Sequence, residues 1–385
     1  MMERETDIYW LWLSSLPEVG INSKAALTEA FGTAESAFKA EKGVYSHIEG
    51  ITERDAEILE LRDLTSAYYI MKQCEREKVD IVTIDSPEYP RRLKEIYGPP
   101  YVLYVRGNLP PIDDEPLLAV VGTRRATEYG KRMSRDIAYQ YAACGGTVVS
   151  GLTAGIDECG AEGAVAAGGK VIGFLGTSIS SAYGELVDSV LEKGALISEY
   201  APGTKSQKIY FRHRNRIGAG ISAAVVAVEA PEKSGTALFV AEALEQGKQI
   251  FAVPGNADSE TCAGTLKFIK DGAVMVTCGR EIAEEMSYVF PNKLNPVSTD
   301  TYRKVKKSVD RKNDACYIDE LSKITNGMTE QQIKVVTAIA LGCTTVDAIV
   351  QNTSLPAHIV LAQLTLLEIR KIIARENGSW VIRQL

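Results

Sequence analysis

The sequence predicts a doubly wound, mostly parallel α/β sheet, with a small helical module before it and a helix-rich module after it. Short apolar runs recur between residues 117 and 276, and helix-period segments separate most of them. Glycine turns close several of these runs. The two flanks lack such runs and carry apolar residues at three- and four-residue steps.

Leu117–Val121 is the first run of the sheet, followed by Gly122-Thr123-Arg124-Arg125 and by a helix with Met133, Ile137 and Tyr141 on one face. Thr147-Val148-Val149 is the next strand, and Ser150-Gly151 turns toward another helix. Strand, glycine turn and helix, twice over, is a βαβ unit; right-handed crossovers extend it into one parallel sheet covered on both faces. Further strands are expected at 171–175, 195–197, 224–228, 250–253 and 273–276. Residues 79–84 and 101–105 are also strand-like, with a turn-rich Ser86-Pro87-Glu88-Tyr89-Pro90 between them.

Residues 3–72 read as helices, with Tyr9, Leu13 and Leu16 on one face of the first. Leu16-Pro17-Glu18-Val19-Gly20 suits a SAM/helix-hairpin-helix-like turn, whose amides can meet a phosphate. Glu18 does not favour an anion there, and a plain packing module is the alternative. Residues 290–316 are polar, basic and poor in large aliphatics, as a flexible linker is. Arg303, Lys304, Lys306, Lys307, Arg311 and Lys312 in it either solubilise a tether or graze nucleic acid. Beyond it, helices at 332–341, from Thr345 and at 357–370 precede two short strands across Asn377-Gly378, the pattern of a winged helix-turn-helix. Its presumed recognition helix has no Lys or Arg before Arg370, which favours protein contact or packing over reading a DNA groove. The expected organisation is a helical domain at 1–75, a sheet domain at 76–289, a linker at 290–317 and a winged helix at 318–385.

The 385 residues carry a net charge of −7, which argues against nucleic-acid binding over the whole surface but permits a local basic groove. No apolar run reaches the roughly 18 residues of a membrane helix, and the acidic start MMERETDIYW is unlike a signal peptide. Seven scattered cysteines without a CxxC pair fit reduced thiols in a cytoplasm. The three histidines lie far apart, so no metal site is expected; no cofactor motif, nucleophile–base series or Walker lysine is visible either.

The candidate site lies at the carboxyl edge of the sheet. A glycine turn there exposes backbone N–H groups at a helix N-terminus, where an anion is favoured. Gly122, Thr123, Ser150 and Gly151 form such turns, and Arg124 adds a cation. The segment 205–216, KSQKIYFRHRNR, has five Lys and Arg residues, two aromatics and no carboxylate. Cations that follow phosphates and a ring that stacks on a base are what single-stranded nucleic acid requires, at about 1–3 kcal/mol per stacked base. The segment's cations and rings, among them Lys208, Phe211, Arg214 and Arg216 with Asn215 between the last two, are the candidates; the alternative is a solvated basic loop with buried rings. The segment follows a strand, which brings it to the same edge as Arg124. Ser234-Gly235-Thr236 opens a helix after another strand and can cradle an anion, although an ordinary N-cap explains Ser234 alone. Pro254-Gly255 is expected to shape the same rim. Asp157, at a helix start, suits a structural role better than catalysis.

In this order the pieces resemble the DNA-processing protein A (DprA/Smf) family over nearly the whole chain. The family's segments are matched by Val121-Gly122-Thr123-Arg124, by 150–157 (SGLTAGID), by Ser198-Glu199-Tyr200, by 211–217 (FRHRNRI), by Val228-Glu229-Ala230 with Ser234-Gly235-Thr236, and by 251–255 (FAVPG). The resemblance implies a cytosolic bacterial protein that binds and protects single-stranded DNA and helps to load the RecA recombinase during natural transformation. It implies a Rossmann-like core, homodimerisation through that core, and no catalytic turnover. By position, Arg124, Lys208, Phe211, Arg214 and Arg216 would face the strand, and Gly122, Thr123, Ser234, Gly235 and Thr236 would line a phosphate pocket. Departures from the family pattern at Gly160-Ala161, 183–187, Phe239-Val240 and Leu266 thin the polar lining and leave the cationic track. Two other readings compete: a nucleotide-processing enzyme of the phosphoribohydrolase kind, and a protein adaptor with a degenerate pocket. Against the enzyme, Pro231-Glu232-Lys233-Ser234-Gly235-Thr236 lacks that group's double glycine, and Glu242 comes too late for its acid.

Overall fold

The computed structural model describes residues 3–296, 328–340, 345–353, 355–370, 372–376 and 379–382. The chain forms two compact units, Met1–Val297 and Ser298–Leu385.

The first unit opens with helices α1 (Glu3–Ser14), α2 (Ile21–Phe31), α3 (Ala34–Lys39), α4 (Glu53–Glu60) and α5 (Thr65–Glu77). Strand β1 (Asp80–Thr83), a short α6 (Arg91–Lys94) and β2 (Val102–Gly107) follow. The alternating region then runs β3 (Leu117–Val121), α7 (Glu128–Ala143), β4 (Thr147–Ser150), α8 (Ile156–Ala166), β5 (Lys170–Leu175), α9 (Glu185–Leu191) and β6 (Ala195–Ser198). It continues through α10 (Tyr210–His213), α11 (Asn215–Ile221), β7 (Ala224–Ala227), α12 (Gly235–Glu245), β8 (Gln249–Ala252), α13 (Ala263–Lys270), β9 (Val274–Met275) and α14 (Gly279–Ser287).

The nine strands form one sheet in the order β1-β2-β6-β5-β4-β3-β7-β8-β9. From β6 to β9 every pairing is parallel. The strand order reverses at β3, between β4 and β7, which is the switch point where open α/β sheets bind ligands. All five residues of β3 are buried. Leu118 and Val120 enter one core cluster, and Leu117, Ala119 and Val121 enter the other. The continuous apolar run is therefore a two-residue period with both faces covered.

The sheet is mostly parallel, as expected: β2 pairs antiparallel with both β1 and β6, so the strands at 80–83 and 102–107 extend it at one edge. Other expectations need correction. The N-terminal turn is not an open anion seat. The Asp55 carboxylate accepts from Gly20 N at 3.4 Å and from Ser23 Oγ at 2.6 Å, so an acid occupies that turn. Trp10, Leu11 and Leu13 of α1 belong to the same core cluster as Leu118, which makes the helical module part of the first unit. Finally, residues 290–296 pack against the sheet domain. Leu294 is buried, Lys293 Nζ lies 3.0 Å from Glu115 Oε1, and Asn295 N donates to Cys144 O at 2.8 Å. The basic part of the expected linker lies outside the described residues, as does Asn377-Gly378.

The second unit contains α15 (Glu330–Ala340), α16 (Val346–Thr353) and α17 (Ala357–Ile369), with β10 (Ile373–Glu376) antiparallel to β11 (Ser379–Ile382). Val335, Ile349, Val360, Leu364, Leu367 and Trp380 close its core. Three helices and a two-stranded wing among its described residues are the expected winged helix.

Candidate nucleic-acid interface

A cavity of about 450 Å³ opens at the carboxyl edge, between the turn after β3, the α10–α11 segment and the N-terminus of α12. Each wall has a local cause. Gly122 must be glycine, because a Cβ there would sit 2.4 Å from Ile156 Cγ1. Thr123 N donates to Glu229 O at 2.8 Å, and Thr123 Oγ1 accepts from Arg125 N at 3.2 Å. With its amide and hydroxyl thus used, Thr123 fixes the turn and leaves the Arg124 side chain exposed. Ser234 caps α12 by accepting from Ala237 N at 3.2 Å. A Cβ at Gly235 would meet nothing within 4 Å, so this N-terminus, where an anion is favoured, is open to the cavity.

The two loops expected to converge do so in space. The Arg124 guanidinium lies 5.3 Å from the centre of the half-buried Phe211 ring, and Arg214 lies 5.8 Å from the same ring on the inner side. Phe211 fits because Gly176 ends the neighbouring strand: a Cβ at Gly176 would come within 3.0 Å of Phe211 Cα.

Arg214 is not a free cation. It is 6% exposed, lies 4.5 Å over the Phe174 ring, and its Nη1 donates to Phe174 O at 2.6 Å and to Gly151 O at 3.1 Å. Burial pushes its pKa down to about 10, with Asp157 opposing and Arg124 adding to the fall, so it stays protonated at neutral pH. Asp157 is likewise buried and accepts from Thr153 Oγ1 at 3.0 Å. Burial raises its carboxyl pKa, against the pull of Arg214 and of the Thr153 hydrogen bond. This buried pair forms the floor of the cavity, and Asn215, 9% exposed, lies beside it.

Other expected site residues are placed differently. Arg216 is consumed by a bidentate pair with Glu199, at 2.9 and 2.5 Å, so its fork is not offered to the cavity. Ser150 is fully buried; its Oγ donates to Asp157 O at 2.7 Å and accepts from Leu152 N at 3.1 Å, which shapes the β4 turn rather than a ligand seat. Gly151 contributes a carbonyl to Arg214 and is itself forced, since a Cβ would lie 2.5 Å from Asp157 Oδ2. Lys208 is exposed but does not line the cavity. Arg125 and Arg212, which were not singled out, do line it. Both sit in the two basic stretches, adjacent to residues that were chosen. Phe174, Leu238 and Phe239 give it an apolar side that no motif announced. Among the described residues no cluster of His, Cys, Asp and Glu could hold a metal, and no helix is long and apolar enough to cross a membrane.

An open α/β sheet with an anion-favouring helix end and arginines at its switch point, in a chain that also carries a winged helix, defines a Rossmann-like class whose sheet edge suits anionic ligands. Within that class the match is specific. Residues 80–287 match the model of the DNA recombination-mediator protein A family, and residues 323–379 match the DprA winged helix domain. The chain belongs to the DNA recombination-mediator protein A family. It is 29% identical over 400 residues to Protein Smf of Synechocystis, covering 98% of each chain. It is 35% identical over 212 residues to the DNA processing protein DprA of Bacillus subtilis, covering 54% of this chain and 71% of that one. The crystal structure of DNA processing protein A from Streptococcus pneumoniae superposes with a TM-score of 0.61 at 28% identity, covering 73% of this chain and 97% of that one.

Proposed function

We propose that this chain is a cytoplasmic recombination mediator that binds and protects single-stranded DNA at the Arg124–Phe211 rim. It would then pass the strand to the RecA recombinase during natural transformation, acting as a homodimer and without chemical turnover. The observation that carries the reading is the placement of a half-exposed ring under Arg124, which carries no ion pair among the described residues, at the mouth of a cavity with an open helix N-terminus. Cations would follow the phosphates and the ring would stack on a base, which is tolerant of sequence because every base has a π face. Arg124, Arg125, Lys208 and Arg212 supply the free cations, while Arg214 and Asn215 support the floor. Titration with an unstructured oligonucleotide, single- and double-stranded, tests the reading: preferential, salt-sensitive binding of the single strand is expected, and equal or absent binding refutes it. Incubation with nucleoside monophosphates should release neither base nor phosphate; release of the base would instead support a phosphoribohydrolase.

A further inference from the structure

Ser198-Glu199-Tyr200 closes β6 and lines no part of the cavity. We propose that this tripeptide is the mount of the strand-binding turn and that Arg216 is its clasp. Glu199, Tyr200 and Arg216 act as positioning residues for Phe211 and Arg214 and touch no nucleic acid. The proposal rests on the reading that the Phe211 rim binds a single strand.

The clasp is nearly saturated. A guanidinium has five N–H donors. Arg216 Nη1 donates to Glu199 Oε1 at 2.9 Å and to His213 O at 2.8 Å, Nη2 donates to Glu199 Oε2 at 2.5 Å, and Nε donates to Gly98 O at 2.8 Å. The two charged side chains are only 14% and 16% exposed. Moving Arg216 to a phosphate would take its bidentate partner from Glu199 beside a polyanion, which opposes the move. The mount grips the turn at a second point. The Tyr200 ring stacks on Tyr210, the residue before Phe211, with centroids 4.0 Å apart and planes at 19°. Ser198 holds the bend: its Oγ donates to Thr177 O at 2.7 Å and accepts from Tyr200 N at 3.0 Å.

The clasp also reaches the N-terminal helices. Gly98, which receives Arg216 Nε, follows Tyr97, whose Oη donates to Asn22 Oδ1 of α2 at 2.9 Å. A Cβ on Gly98 would lie 3.1 Å from Ile21 Cγ2. One hydrogen-bonded line thus runs from α2 through Gly98 and Arg216 to the turn that carries Phe211. It assigns the helical module a part in holding the rim.

The test uses the full chain with Glu199→Gln, Tyr200→Leu, Arg216→Gln and Phe211→Ala, and it has two readouts. In the DNA-free protein, amide hydrogen exchange of residues 208–216 should rise in Glu199→Gln and in Tyr200→Leu; unchanged exchange in both overturns the proposal whether or not DNA binds. Tyr200→Leu keeps both charged partners, Glu199 and Arg216, and serves if Glu199→Gln fails to fold. In anisotropy titrations with an oligo-dT, Glu199→Gln should weaken binding about tenfold, yet add little in the Phe211→Ala background, because both act through one ring. Losses that multiply overturn the proposal. Arg216→Gln should leave the log–log salt slope unchanged, whereas a slope shallower by about 0.7 would mark a direct phosphate contact and overturn it. Raised exchange in the variants, together with a parent chain that binds no oligonucleotide, would uphold the mount and refute the DNA reading alone.

Discussion

The salt dependence of strand binding follows from which cations the fold leaves free, and Arg124→Gln is the perturbation that tests it. Arg124, Arg125, Lys208 and Arg212 are exposed and carry no ion pair among the described residues, while Arg216 is paired and Arg214 is buried. Each phosphate neutralised on a single strand contributes roughly −0.7 to the slope of log affinity against log salt, so four contacts give a slope near −3. At that slope the dissociation constant rises about 50-fold between 50 and 200 mM salt. Removing one contact in Arg124→Gln should bring the slope to roughly −2 and the rise to about 20-fold. The assay is fluorescence anisotropy with a labelled oligo-dT at four or five salt concentrations. A parent slope shallower than about −1, or a slope untouched by Arg124→Gln, would refute the assignment of these four groups.

Other consequences are open to direct measurement. Phe211→Ala removes the stacking ring and should cost about 1–3 kcal/mol of binding while leaving the slope nearly intact; a change in slope alone would show that the ring does not stack. Gly163→Ala places a Cβ 2.2 Å from Arg135 O, where α7 and α8 touch backbone to backbone. It should destabilise by about 1–3 kcal/mol in urea unfolding, and an unchanged midpoint would refute that close contact. Burial lowers the Lys24 pKa from 10.5 to about 8, with Glu199, Glu18 and Asp55 opposing. The unfolded chain then holds the proton to higher pH than the folded one, so stability rises with pH across this interval. The burden, about 3 kcal/mol, is full below pH 8 and gone above 10.5. The stability gap between Lys24→Met and the parent should narrow between those limits, and a gap independent of pH would contradict the shift.

Much of the fold was legible because its signals are local. The apolar runs at 117–121, 147–149 and 224–228 became adjacent strands β4, β3 and β7, since a strand covered on both faces must be apolar throughout. The antiparallel addition of β1 and β2 was not legible, because strand direction depends on which edge the chain returns to. The rim was legible in its loops and less so in its individual residues. Phe211 and Arg124 were expected at the rim and meet there, whereas Ser150, expected in an anion-seating turn, is buried with its hydroxyl used inside the β4 turn.

By itself the sequence determined the order of the elements, the sheet's anion-favouring edge and the two basic stretches brought to it, all of which depend on residues close along the chain. Only the tertiary structure decided which cations remain available. Besides the nearby His213 carbonyl, the acceptors that claim Arg216 are Glu199, 17 residues away, and Gly98, 118 residues away. A guanidinium is free or spent according to the carboxylates and carbonyls that folding places within about 3 Å of it, and no pattern in its own neighbourhood encodes those partners.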